Sequence, residues 1–221
     1  MRVIAQYMSV PALGLALFLL YGLLAFGLRM FVQVRRTGST GFAVVRGASA
    51  PIERIGGLLF VSALVLCVAG PVLQLAGALH PLRVLDGTLA EGLGVVLACL
   101  GIATTVLAQF AMGDAWRVGV DPSERTELVT HGPFLLVRNP IFAAMIPAFV
   151  GVALLAPDLV TIAGAILLVV ALELQTRLIE EPYLARAHGE QYAAYAARAG
   201  RFLPKVGRLH LDGQRSGAAD A

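Results

Sequence analysis

Long apolar runs alternate along this chain with short polar segments, and their lengths define the elements. A helix rising about 1.5 Å per residue needs roughly 20 apolar residues to cross a hydrocarbon core of about 30 Å. Val10 to Val32, Ile55 to Leu79 and Leu89 to Met112 meet that length. Gly70-Pro71 should kink the second run without ending it, because neighbouring helices can re-satisfy freed backbone groups. Two shorter runs, Ile141 to Leu155 and Leu159 to Leu172, are separated only by Ala156-Pro157-Asp158, which predicts an antiparallel helical hairpin completed by its polar flanks. Beyond Glu181, the stretch Pro182 to Ala199 carries Tyr183, Leu184, Ala187, Tyr192 and Tyr195 on roughly one helical face. It reads as an amphipathic helix that lies on the membrane surface or caps a site.

The expected fold is therefore an all-α integral membrane protein. It has about five transmembrane helices, the last two forming a hairpin, followed by a C-terminal amphipathic cytoplasmic helix. Three regions are expected: 1–113 with three spans, 114–206 with the polar loop, hairpin and amphipathic helix, and 207–221 as a tail whose last residues, Gln214 to Ala221, look disordered.

Composition agrees with a bilayer as solvent: 58% of the 221 residues are hydrophobic and 14% charged. The net charge is only +3, and every basic residue except Lys205 is Arg, so no basic nucleic-acid surface is indicated. Cys67 and Cys99 sit in apolar runs and read as small buried hydrophobes, and no His, Cys or carboxylate spacing suggests a metal site. The first run is longer than a signal-peptide core and lacks a small-residue cleavage pattern, so it reads as a true span. Arg35, Arg36, Arg46 and Arg54 follow the first run. Arg177, Arg186, Arg198, Arg201, Lys205, Arg208 and Arg215 follow the last, while only Arg2 and Arg83 fall on the other side. The Arg excess of cytoplasmic loops then places the N-terminus outside and the C-terminus inside. The Ala, Gly, Val and Arg bias suggests a GC-rich bacterial genome, hence an inner membrane.

The polar residues capable of chemistry lie in the C-terminal half. Asn139 is 18 residues before Pro157 and Gln175 is 18 after it, so the hairpin should bring Arg138 and Asn139 level with Thr176 and Arg177, with Glu180 and Glu181 one turn on. Ionisable groups at membrane depth are costly and usually face a protein interior or a wet cavity. Arg177 and Glu181 are spaced i, i+4, which puts them on one helix face. The alternative is that Arg138, Arg177 and Lys205 snorkel to the interface with Glu180 and Glu181 as surface partners. The segment from Asp114 to Asn139 reads as a structured cytoplasmic loop, with a turn at Gly132-Pro133 and a helix start at Asn139-Pro140.

The stretch from Leu128 to Phe142, LVTHGPFLLVRNPIF, resembles the signature of the isoprenylcysteine carboxyl methyltransferase and phospholipid methyltransferase superfamily. Arg177 with Glu180-Glu181, Gly189-Glu190-Gln191-Tyr192 with Tyr195, and Arg201-Phe202-Leu203-Pro204 are similar to that family's C-terminal pattern in order and spacing. The resemblance implies S-adenosylmethionine at the cytoplasmic mouth of the hairpin. Its implied contacts are Thr126, Glu127, Leu128, Val129, Gly132, Phe134, Arg138, Asn139, Pro140, Ile141, Phe142 and Glu180. It also implies that Arg177 and Glu181 face a lipophilic acceptor, a lipid or small molecule, entering from the membrane. The chain departs from the family where Asn139 replaces a usual His and where Phe134 and Phe142 replace usual Tyr.

Methyl transfer from a sulfonium mainly requires holding donor and nucleophile in near-attack geometry and excluding water. An ionised carboxylate acceptor needs no base, whereas an amine or phenol must first lose a proton, and the scarcity of His mildly favours the former. Arg177 is expected to hold an acceptor carboxylate or phosphate through its planar fork. Two other readings compete: an NADPH-dependent membrane reductase of the sterol-reductase type, and a non-catalytic membrane protein of the same fold.

Overall fold

The computed structural model describes residues 2–41, 51–119 and 127–209. Arg46, Arg215, Thr126 and the expected tail Gln214 to Ala221 lie outside the described residues. Helix α1 (Arg2–Gly22) passes through a π-helical turn at Leu23–Leu28 into α2 (Arg29–Thr37), making one continuous rod. Then follow α3 (Pro51–Leu75), α4 (Thr88–Ala111), α5 (Pro140–Leu155) and α6 (Leu159–Leu174). A second π-helical turn, Gln175–Glu180, joins α6 to α7 (Glu181–Ala196). Four helical stretches are long and apolar enough to cross a membrane: Ser9–Thr37, Pro51–Leu75, Thr88–Ala111 and Leu159–Ala196, with α5 as a shorter apolar fifth. The chain is a helical multi-pass membrane protein.

Several boundaries differ from the apolar runs. The second helix stops at Leu75, four residues before the run ends, and carries Pro71 in its interior as expected. The amphipathic helix is not a separate element, because the π turn carries α6 without a break into α7. Gly189 interrupts α7 at φ 51 and ψ −125, a conformation open in practice to glycine alone, and so bends the helix where the motif places its glycine.

In hydrocarbon no hydrophobic force draws helices together, so close packing must rest on small residues. The α4–α5 and α3–α6 pairs are the most extensive in the bundle. A Cβ on Gly101 would stand 2.5 Å from the Ala148 backbone nitrogen, and one on Gly151 the same distance from Ala98 nitrogen. Gly164 approaches Cys67 and Gly70 approaches Thr161 with similar closeness. The predicted hairpin therefore exists, but its two arms lean chiefly on different neighbours. Asp158 begins α6 by accepting from the Val160 and Thr161 backbone N–H groups and the Thr161 hydroxyl, and Gln74 of α3 donates to its other side at 2.6 Å. Phe149 fills the bundle centre, edge-on to both Phe18 and Tyr21 at 5.4 Å between centroids.

Candidate active site

The residues from 136 to 139 run beside the segment after α7. Gly200 N–H donates to Leu136 O, Arg138 N–H to Gly200 O at 2.7 Å, and Asn139 N–H to Arg201 O at 3.1 Å. Pro140 then starts α5, as expected for a proline whose missing N–H is not needed in a first turn. This pairing fixes the signature segment against the C-terminal segment before any side chain acts.

Arg138 completes the junction. Its guanidinium is buried, donates from Nη1 to the carbonyls of Ala196 and Ala199 and from Nη2 to Gly207 O, and meets Glu181 Oε1 at 2.6 Å. Arg201 approaches the same carboxylate from the other side, with Nε on Oε1 at 2.9 Å and Nη2 on Oε2 at 2.8 Å. Glu181 is thus held between two guanidinium groups, and its carboxylate raises Arg201 above the usual range for arginine. Three of the carboxylate's hydrogen bonds go to these two guanidinium groups, and they fasten α7 to the signature segment.

Beside this junction a cavity opens. Its apolar lining includes Phe26 of the first π turn, Phe60 and Phe142, which pack against the bundle core with Met145. Its polar lining includes Arg117, Glu127, Glu180 and the hydroxyl-bearing Tyr183, Tyr192 and Tyr195. Leu128, Val129, Phe134, Arg138, Asn139, Pro140, Ile141 and Glu181 also line it, as do Trp116, Gln109 and Met112. Tyr195 donates to the Phe134 carbonyl at 2.7 Å, so a tyrosine from α7 secures the loop whose own aromatic carries no hydroxyl.

The cavity gathers most of the expected set: Glu127, Leu128, Val129, Phe134, Arg138, Asn139, Pro140, Ile141, Phe142, Glu180 and Glu181. Thr126 lies outside the described residues. Gly132 sits in an exposed 3₁₀ turn, Gly132–Leu135, beside Ala111, and does not line the cavity. Arg177 does not line it either: its side chain is 57% exposed and ion-paired to Glu173 on the outer face of the helix. Arg177 and Glu181 are four residues apart, yet Arg177 pairs with Glu173 on the exposed side while Glu181 is buried between Arg138 and Arg201. Sequence reasoning also missed residues. Arg201 was readable, since it stands in the quoted C-terminal pattern, but Phe26, Phe60, Gln109 and Trp116 come from helices or turns with no local signal of a site. Among the described residues no cluster of potential ligands would hold a metal ion.

With that geometry in place, comparison with known families is informative. Residues 89–191 match the phospholipid methyltransferase family model. The matched stretch runs from α4 into α7, and so takes in the signature segment, Glu180 and Glu181, while Phe26, Phe60, Tyr192, Tyr195 and Arg201 fall outside it. The phospholipid methyltransferase family belongs to the wider superfamily that includes the isoprenylcysteine carboxyl methyltransferases. No curated protein matches the chain.

Proposed function

We propose that the cavity binds S-adenosylmethionine and that the protein methylates a lipophilic acceptor at the cytoplasmic membrane face. The supporting observation is the cavity itself, which unites the signature segment with Glu180 and Glu181 and combines apolar with polar lining. Its described charged lining is three carboxylates, Glu127, Glu180 and Glu181, with Arg117 and Arg138. Glu181 is taken up between Arg138 and Arg201, so the carboxylates that would face a sulfonium cation are Glu127 and Glu180. Phe134, Phe142 and Ile141 offer apolar and stacking surface for an adenine ring. Asn139 gives amide donors and acceptors in place of an imidazole.

When bound, the cofactor supplies an activated methyl group, which is displaced from sulfur by the acceptor's lone pair while a neutral thioether leaves. The protein's part is positioning and exclusion of water. The apolar lining around Phe26, Phe60 and Met145 would hold the acceptor's lipid portion, and Tyr192 and Tyr195 close the cavity from α7. Arg177, paired outside the cavity, is left without the acceptor-binding role that its spacing first suggested, so Arg177→Lys should retain turnover. Arginine placement supports an orientation with the N-terminus outside and the C-terminus and cavity inside.

Calorimetric titration of the detergent-purified protein with S-adenosylmethionine, S-adenosylhomocysteine and NADPH tests this reading. Saturable binding of both adenosyl ligands is expected, with Glu180→Gln weakening the cationic one more than the neutral one. Binding of NADPH alone would replace the methyltransferase reading with a reductase, and binding of none would leave a non-catalytic protein.

A further inference from the structure

The first span lies wholly before residues 89–191, yet its inner end is tied to the cavity wall. Arg29 is 2% exposed and donates to the Gly113 carbonyl, while its guanidinium carbon stands 4.7 Å from the centroid of the Trp116 ring and 5.8 Å from that of Phe110. Its Nε and Nη1 have no hydrogen-bond partner among the described residues, so ring faces rather than a paired carboxylate hold this buried cation. One turn on, Gln33 donates to Asp114 O at 3.0 Å, and Arg36 reaches the Asp114 carboxylate at 3.4 Å. The chain beyond α2 closes the arrangement: Val118 N–H donates to Gly41 O at 2.7 Å, and a Cβ on Gly41 would stand 2.7 Å from the Trp116 ring. The indole thus contacts both the Arg29 guanidinium and the Gly41 backbone, and it forms part of the cavity lining.

We propose that Arg29 is a positioning residue for the ligand cavity: by stacking on Trp116 and bonding the Gly113 turn, it makes the first span part of the site. The proposal rests on the cavity being the cofactor site, as argued above. A buried arginine kept only for helix packing would find carbonyls or a carboxylate for its free nitrogens, since an unpaired buried charge is costly. Here the cation faces two aromatic rings, Phe110 and the Trp116 of the cavity wall, and its hydrogen bond goes to the Gly113 turn.

Trp116 is the single tryptophan of the chain, so its fluorescence reports this contact directly in the purified full-length protein. Wild-type emission should change saturably on titration with S-adenosylhomocysteine. Arg29→Met should shift the ligand-free emission and raise the dissociation constant fivefold or more, with Arg29→Lys in between. Gly41→Ala crowds the same ring without removing a buried cation, and it should also weaken binding, which keeps the test valid if Arg29→Met does not fold. Wild-type emission and affinity in folded Arg29→Lys and Gly41→Ala would overturn the proposal. Absence of any response in the wild type would overturn the cofactor reading, and the ligand-free spectra would still report whether Arg29 governs the indole.

Discussion

At the scale of single residues, the two acid–arginine contacts of the last helix have opposite characters. Glu181 and Arg138 are almost fully buried, and removing one partner leaves an uncompensated charge, a loss of about 3–5 kcal/mol. Glu173 and Arg177 are largely exposed at i, i+4, where such pairs contribute about 0.3–0.5 kcal/mol. Glu181→Gln should therefore lower thermal stability sharply, while Arg177→Ala should leave the melting temperature within a degree or two; equal effects in a detergent melting assay would refute the assignment. Both are acid–arginine pairs by residue type, and what separates them is burial, which the docking of α7 against the signature segment decides.

Among elements, the decisive contacts are between helix backbones. Gly94, Ala98 and Gly101 of α4 meet Ala148 and Gly151 of α5 closely enough that a larger side chain at Gly101 would collide with the Ala148 backbone. Overpacking of this kind costs about 1–3 kcal/mol, and backbone cannot move aside as a side-chain tip can. Gly101→Leu should reduce the yield of monodisperse protein, whereas Gly92→Leu on the same helix, with open space around it, should not; size-exclusion profiles distinguish them. The apolar runs predicted these helices to within a few residues, because hydrocarbon thickness fixes their length. Which helix packs on which was not legible, because the small residues that decide it are scattered through every run. The exception is Gly189, whose place in the C-terminal motif matches the one position in α7 with a left-handed φ.

For the whole molecule, the arginine asymmetry and the location of the cavity bear on the same end of the bundle. Arg36 pairs with Asp114, Gly41 with Val118, and Arg117 reaches the Tyr183 hydroxyl at 3.3 Å, so the segment after span one, the signature loop and α7 all meet there. The opposite end carries Asp86, Thr88, Glu91 and Pro157 around a separate polar pocket. With the proposed orientation, a cysteine at Asp86 should react with a membrane-impermeant maleimide in intact cells, and one at Lys205 only after permeabilisation; the reverse pattern would invert the topology.

The sequence by itself determined that this is a multi-span membrane protein, where its helices lie, and that its second half carries the methyltransferase signature, since helix length and motif spacing are local properties of the chain. Only the tertiary structure decided which residues face the cavity. It turned Arg177 outward and Glu181 inward, committed Arg138 to fastening α7, and brought Phe26 to the cavity and Arg29 onto Trp116 from outside the matched stretch. A side chain's direction depends on helix rotation and on the neighbour it packs against, and both are settled by contacts between residues far apart in the chain.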